Sequence, residues 1–144
     1  MTPKQYLSQY RKYITDIIFF KALKEEAILN VASLKSPAFG NTIIKTPEND
    51  PIGNLVFELE KDVAKYDMEI LNIKVKMMMI DNQLGRMQAV NEDYYKILSY
   101  KYKVGMDWQQ IADKMYMGLS TVTHLHSPAL RKFEEMFSNE YNYA

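Results

Sequence analysis

The chain has 144 residues, of which 47% are hydrophobic and 25% charged, as in a globular protein with one compact domain or two small ones. Its 18 basic side chains equal its 18 acidic ones, so no overall charge attracts it to nucleic acid or to an acidic membrane. The absence of cysteine excludes disulfides, thiol chemistry and thiolate metal sites. Without a signal-like segment or a long apolar run, we expect a soluble cytoplasmic protein with no membrane partner.

A seven-residue repeat of apolar side chains begins near the N-terminus. One column contains Tyr6, Tyr13, Phe20, Ala27 and Leu34, and the other contains Tyr10, Ile17, Lys24 and Val31. This spacing predicts a helix of about 30 residues with an apolar stripe to bury. Residues 36–51 are rich in Pro, Gly, Asn and Thr and predict a loop, after which Asp50 followed by Pro51 is typical of a helix start.

The most regular pattern follows Pro51. One column contains Ile52, Leu59, Tyr66, Ile73, Ile80 and Met87, and the other contains Val56, Val63, Ile70, Met77 and Leu84. The register predicts a second long helix, with a bend near Gly85. We expect residues 1–90 to form a long antiparallel helical hairpin, coiled-coil-like, that holds two copies together as a homodimer, because two long helices alone bury little core.

A two-helix pattern lies between Asp107 and Phe133. Asp107 and Gln110 have the spacing of a capping box, Gly105 suits the end of the helix before it, and Asn91 suits that helix's start. Apolar residues at Ile111, Met115, Met117, Val122 and Leu125, with small Ala112, have the spacing of a helix-turn-helix. We therefore expect an all-α protein in which residues 91–144 form a small helix-turn-helix domain whose tail frays after Phe137.

The second helix of this pattern should begin near Leu119. Its outward positions, which would meet base edges in a major groove, are Leu119, Ser120, Thr123, His124 and Ser127. The candidates for backbone phosphates are Lys101, Lys103, Arg131 and Lys132, each equally consistent with a solvated charge. Pro128 predicts that the helix kinks or restarts after Ser127, which would shorten the recognition helix.

The sequence gives no sign of catalysis, a cofactor or a metal site, so we expect a protein that is not an enzyme. The five glycines are scattered and form no phosphate-binding loop. His124 and His126 point about 200° apart on a helix and cannot share a metal, and His126 should pack on the neighbouring helix. Four of the eleven tyrosines, Tyr6, Tyr10, Tyr13 and Tyr66, lie on the apolar seams, and we expect most tyrosines to be structural. The exceptions Tyr116, Tyr141 and Tyr143 are candidates for stacking on bases.

The region from Tyr100 onward resembles region four of bacterial sigma factors and, more closely, phage regulators of the ArpU and RinA type. The resemblance rests on Tyr100-Lys101-Tyr102 with Gly105, on Trp108 with Ile111-Ala112, and on Val122 with Leu125-His126 and Ala129-Leu130. It implies a DNA-binding transcription regulator of phage or prophage late genes, which acts on double-stranded DNA in the cytoplasm of a bacterial host cell.

Several positions depart from that family pattern. Tyr116 occupies a turn position that is often glycine, because the backbone there tends to be left-handed, and Gly118 replaces a serine cap. Leu119 and Ser120 stand where relatives usually carry basic residues, and Pro128 stands where they tend to have arginine. The apolar Leu119 and the neutral charge favour an alternative, a protein-interaction module that binds RNA polymerase or a host factor. A packaging role like that of small terminase subunits is the third interpretation.

Overall fold

The computed structural model describes residues 1–34 and 51–142. These residues form five α-helices, which we label α1 (Pro3–Leu34), α2 (Pro51–Gln88), α3 (Glu92–Leu98), α4 (Trp108–Met115) and α5 (Leu119–Tyr141), and a π-helical turn at Ser99–Val104. Since the described part contains no strand, the predicted all-α class is confirmed. No helix in these two ranges is long and apolar enough to cross a membrane.

The start of α2 agrees with the sequence prediction. Pro51 is the first residue of the helix, as its fixed backbone angle favours. The rest of the predicted loop, including Asp50, lies outside the described residues. Each of the eleven seam positions between Ile52 and Met87 is buried or half-buried, so the heptad register is confirmed. The helix continues through Gly85 to Gln88 without a break. The bend near Gly85 stays a prediction.

Two compact units divide the chain, and each is described by itself. The first comprises Met1–Ile14 with Val75–Ala144, and the second comprises Thr15–Lys74. The predicted division into residues 1–90 and 91–144 stays a prediction. The first turns of α1 and the last turns of α2 share a core with the C-terminal helices.

In the second unit, α1 packs on α2 through the predicted seams. The rings of Phe20 and Tyr66 lie 6.3 Å apart between centroids, and Val31 lines an apolar hollow with Val63. Phe20 of α1 lies near Tyr66 of α2, whereas Val31, which comes later in α1, lies near Val63, which comes earlier in α2. The two segments therefore run in opposite directions within this unit. An antiparallel hairpin over the full length of both helices stays a prediction.

Lys24, the polar break in the α1 seam, has a partner in the same unit. Its ammonium lies 2.6 Å from a carboxylate oxygen of Asp67 on α2. Both side chains are partly exposed, so the ion pair contributes little to stability, in the range of roughly 0–1 kcal/mol. It lets a charged residue occupy a seam position without leaving that charge unpaired.

The core of the first unit draws on α1, α2, α3, the π-helical turn and α5. Its buried members are Tyr6, Leu7, Tyr10, Ile80, Leu84, Met87, Leu98, Tyr102, Ala129, Phe133, Phe137 and Tyr141. The last four recur every fourth residue along α5 and form one stripe of that helix. Full burial of a Leu, Ile or Phe side chain contributes roughly 1.5–3 kcal/mol, so this stripe anchors α5.

Pro128 lies inside α5, which passes through it without interruption. The prediction that the helix restarts there and is shortened is therefore wrong. Proline inside a helix removes one backbone hydrogen bond and costs about 3 kcal/mol. Burial of Ala129 and Phe133, which follow it directly in the core stripe, offsets that cost.

The end of α5 also differs from the sequence prediction. The helix does not fray after Phe137 but continues to Tyr141, which is only 3% exposed. The ring of Tyr141 stacks on that of Tyr6, with centroids 4.4 Å apart. Tyr141 is therefore a core residue and not a surface for stacking bases, while Tyr143 lies outside the described residues.

Gln83 is a polar side chain with no solvent exposure. Its Oε1 accepts a hydrogen bond of 2.7 Å from the Tyr6 hydroxyl and so links α2 to α1 within the first unit. Burial raises the pKa of Tyr6 to about 12 although the bond to Gln83 lowers it, so the hydroxyl remains a donor across the physiological range. The seam pattern does not reveal this contact, because Gln83 precedes the seam position Leu84.

We expect Tyr6→Phe to lower the free energy of unfolding by about 1–3 kcal/mol, because it leaves the buried Oε1 of Gln83 without this donor. Gln83→Leu should cost a similar amount by removing the acceptor. The double variant should lose less than the sum of the two, which urea unfolding of all four proteins measures. Strictly additive losses would show that the bond contributes nothing.

Candidate functional site

The two-helix unit, α4 and α5, rests on α3 and the π-helical turn. Asn91 caps α3 as predicted, because its side chain accepts a hydrogen bond of 3.1 Å from the amide of Tyr94. The sequence predicted a helix to about Lys103, and the structure widens it into a π-helical turn from Ser99. Gly105 ends this turn at φ 84°, a left-handed conformation that glycine adopts without steric cost.

The start of α4 is fixed by the predicted capping box. The Asp107 carboxylate accepts a bond of 2.8 Å from the Gln110 amide, and the Gln110 side chain accepts one of 3.0 Å from the Asp107 amide. The predicted helix contacts also form. Ile97, Ile111, Ala112 and Val122 make a second buried cluster, against which Tyr100, Met106, Trp108, Met115, Met117 and Leu125 pack.

The turn between α4 and α5 bends at Tyr116. This residue has φ 55° and ψ 41°, the left-handed conformation expected for that position. Its side chain is 96% exposed, so no packing compensates the steric cost of about 1 kcal/mol. Gly118 then precedes α5 as its N-cap without a side-chain hydrogen bond.

Tyr116→Gly should raise the free energy of unfolding by about 1 kcal/mol, because glycine relieves the left-handed backbone and no buried contact is lost. Tyr116→Ala is the matched control: it keeps the steric cost and should bring no gain. Thermal unfolding of the three proteins measures both changes. Equal stabilisation by alanine and glycine would place the cost in the tyrosine ring and not in the backbone.

The five outward positions proposed for α5 are exposed to solvent: Leu119, Ser120, Thr123, His124 and Ser127. Local hydrogen bonds orient two of them. The Thr123 hydroxyl donates to the Leu119 carbonyl at 3.0 Å, and Nδ1 of His124 lies 2.6 Å from the Ser120 carbonyl. Because a carbonyl only accepts, this contact requires a proton on Nδ1.

The two lysines of the π-helical turn have different surroundings. Lys103 forms an ion pair of 2.6 Å with Asp81. Burial lowers the pKa of Lys103, but the hydrogen bond to Asp81 and the negative charge of Asp81 raise it by more. Lys103 therefore stays protonated, and Asp81 balances its positive charge. Lys101 instead lies 4.6 Å above the centre of the Trp108 ring in a cation–π contact, and no carboxylate of residues 1–34 or 51–142 pairs with it.

The two basic candidates on α5 also differ. Arg131 is exposed. Lys132 lies 3.5 Å from the Glu135 carboxylate, one turn later on the same helix. Such an exposed pair is weak and breaks at little cost when a phosphate competes.

A basic hollow of about 450 Å³ lies beside α4. Its lining residues are Lys4, Ser8, Arg11, Lys101, Tyr102, Trp108 and His126, none of which is acidic. The first three come from α1, whose start is held by a capping box between Thr2 and Gln5. Sequence reasoning missed this site, because residues far apart in the chain form it and the α1 members belong to an ordinary polar face.

Two side chains are fixed at the edges of the basic hollow. Arg11 donates to the carbonyls of Lys103 and Val104 at 3.2 and 2.9 Å. His126 packs on the neighbouring elements, as predicted: Nε2 lies 2.7 Å from the Tyr102 hydroxyl, and the ring lies 4.7 Å from that of Trp108. Burial lowers the pKa of His126, and the positive charges of two lysines, Lys4 and Lys101, lower it further.

The stability of the protein should fall when the pH drops below the usual histidine pKa of 6.5. The unfolded chain then gains a proton that His126 resists in the folded state, so unfolding becomes easier until the lowered folded pKa is reached. Urea unfolding between about pH 7.5 and 5.5 measures the slope. His126→Gln should remove this slope; an unchanged slope in that variant would contradict the assignment to His126.

Comparisons with known proteins give no match to this chain, whether with family models, curated proteins or solved structures. The resemblance to ArpU- and RinA-type regulators therefore stays a prediction. Within the two described ranges, no group of three or more histidine, cysteine, aspartate or glutamate side chains is arranged to hold a metal ion.

Proposed function

We propose that this protein binds double-stranded DNA through the first turns of α5 and acts as a phage or prophage transcription regulator of the late-gene activator type. The observation that carries the proposal is the exposed face of α5, where Ser120, Thr123 and His124 extend beyond a capped α4 and a left-handed turn. A helix presented in this way fits the major groove, where short polar side chains reach base edges.

The charges of the candidate residues predict modest affinity. Arg131 and Lys101 carry charges that no carboxylate of the described residues pairs, whereas Lys103 is neutralised by Asp81. Each phosphate contact releases counterions, and so a protein with few contacts binds weakly but in a salt-dependent way. Local hydrogen bonds and the groove fit, and not a long-range field, would direct this protein to its site.

The second unit supports self-association. Large apolar side chains remain exposed there, including Ile18, Phe19, Leu29, Phe57, Met68 and Leu71. Exposed apolar side chains in this number support an interaction site, because large apolar patches on protein surfaces mark contacts with partners. We propose that two copies pair through the N-terminal helices as a homodimer, so that two α5 helices read two half-sites.

In physiological salt, a short random-sequence duplex should bind with a dissociation constant of roughly 1–100 μM, as is typical of non-specific binding, and it should bind more tightly at low salt. With a duplex selected from a random-sequence library for binding to this protein, Thr123→Ala with His124→Ala should weaken binding at least fivefold, since a good base contact contributes about 1–3 kcal/mol. Asn139→Ala, an exposed change near the other end of α5, is the matched control and should have no effect. Fluorescence anisotropy with labelled duplex measures all three proteins.

Native mass measurement with and without the duplex gives the stoichiometry of the same complexes. Two chains per duplex support the homodimer, whereas ring-sized assemblies would favour a packaging role. Absence of binding at tens of micromolar, or equal affinity for the double variant and the wild type, would overturn the DNA-binding proposal.

A second candidate function is binding of a protein partner, such as RNA polymerase or a host factor. It is favoured by the apolar tip of the unit, where Tyr116 is 96% and Leu119 is 45% exposed. Aromatic and large apolar side chains of this kind form the centres of protein interfaces. Retention of purified RNA polymerase by the wild type but not by Leu119→Ser, without DNA binding, would identify this function.

A further inference from the structure

We propose that the basic hollow is a binding site for a phosphate group, separate from the exposed face of α5. The phosphate would come either from a free mononucleotide-sized ligand or from the backbone of a bound nucleic acid, and both share the same oxyanion chemistry. The proposal does not depend on the recognition role of Ser120, Thr123 and His124, none of which lines the hollow.

The charge of the hollow supports an anionic ligand. Three of its lining side chains, Lys4, Arg11 and Lys101, are cationic, and no acidic residue lines it. Within the described ranges, Lys4 and Lys101 pair with no carboxylate. The chain as a whole has equal numbers of acidic and basic residues, so this excess of positive charge is confined to the hollow.

The neighbouring Lys103, in contrast to Lys101, has an acidic partner that balances its charge. It lies two residues from Lys101 in the same π-helical turn, and Asp81 pairs with it at 2.6 Å. In the described part of the chain no carboxylate pairs with Lys101 or Lys4, and the charges of both add to the effect of burial in lowering the pKa of His126. A phosphate in the hollow would supply the negative charge that these groups lack.

The shape of the hollow is fixed by contacts that do not involve a ligand. Arg11 is tied to two backbone carbonyls and lies against Gly105, where an added Cβ would come within 3.0 Å of the guanidinium carbon. Trp108 is held between Lys101 and His126. Arg11 and Lys101 are therefore positioned before binding, which lowers the entropic cost of capturing a ligand.

The volume and the aromatic lining indicate a ligand larger than phosphate alone. About 450 Å³ falls within the range of small-molecule sites. Trp108 and Tyr102 add aromatic surface beside the charges, a combination that suits a phosphate attached to a sugar or base. We therefore expect a mononucleotide to bind more tightly than inorganic phosphate.

Trp108 is the single tryptophan of the chain, so its fluorescence reports on the hollow directly. Titration of the full chain with inorganic phosphate and with adenosine monophosphate, at constant ionic strength, should change the emission saturably. Lys4→Met should weaken both ligands about fivefold, because it removes one nearby unit charge without touching the indole. Lys114→Met, an exposed lysine of α4 outside the hollow, is the matched control and should bind as the wild type does.

A second measurement distinguishes binding from a change in fluorescence that the ligand causes without binding. A bound anion should raise the pKa of His126 toward its usual value, which NMR titration of the imidazole resonances measures, with His124 as internal reference. A linear emission change equal to that produced by chloride, equal affinity in Lys4→Met and the wild type, or an unchanged pKa of His126 would overturn the site.

Competition then identifies the source of the phosphate. If adenosine monophosphate displaces a labelled duplex, the hollow holds a backbone phosphate of bound DNA. If both bind together, the hollow holds a separate small ligand. Saturable phosphate binding without any duplex binding would support the phosphate site and overturn the proposed DNA-binding function. The failure of one proposal can therefore be distinguished from the failure of the other.

Discussion

The stacking of Tyr6 on Tyr141 joins the first turns of α1 to the last turn of α5, and the presentation of the candidate sites depends on it. The rings lie 4.4 Å apart between centroids, and the hydroxyl of Tyr6 bonds to buried Gln83 on α2. This contact fixes α5 at its C-terminal end. The helix can then tolerate Pro128 and present the outer face of its opposite end to solvent, while Val122 on the inner face packs in the second buried cluster. The same contact holds the start of α1, which supplies three residues of the basic hollow.

A buried amide such as Gln83 adds little net stability, because its desolvation opposes the hydrogen bond that it makes. Its effect lies in specificity. An apolar residue at this position would accept many neighbours, whereas an amide that needs a donor favours the single alignment in which Tyr6 reaches it. Aligned in this way, α1 brings Lys4 and Arg11 to the π-helical turn. A polar contact in the core thus determines which charges meet at the surface.

The elements that could be predicted from the sequence are those specified by local rules. The α2 seam, the Asp107–Gln110 capping box and the left-handed Tyr116 each depend on residues within one or two helical turns. The errors arose where tertiary burial outweighs a local preference. Pro128 and the polar tail favour an end to α5, but the core stripe that runs to Tyr141 keeps it helical. The basic hollow could not be predicted from the sequence, because no spacing rule connects Lys4 with Lys101.

The neutral net charge of the chain and the cationic lining of the basic hollow together indicate how the molecule selects a ligand. With no overall field, attraction acts only within about a Debye length, roughly 8–10 Å in physiological salt. A distant anion is therefore not drawn in, and contact must come before recognition. Cations that are already positioned by Gly105, Trp108 and two carbonyls then act at short range and lose little freedom on binding. Such a design favours selectivity among anions over rapid capture, because geometry decides which ligand stays.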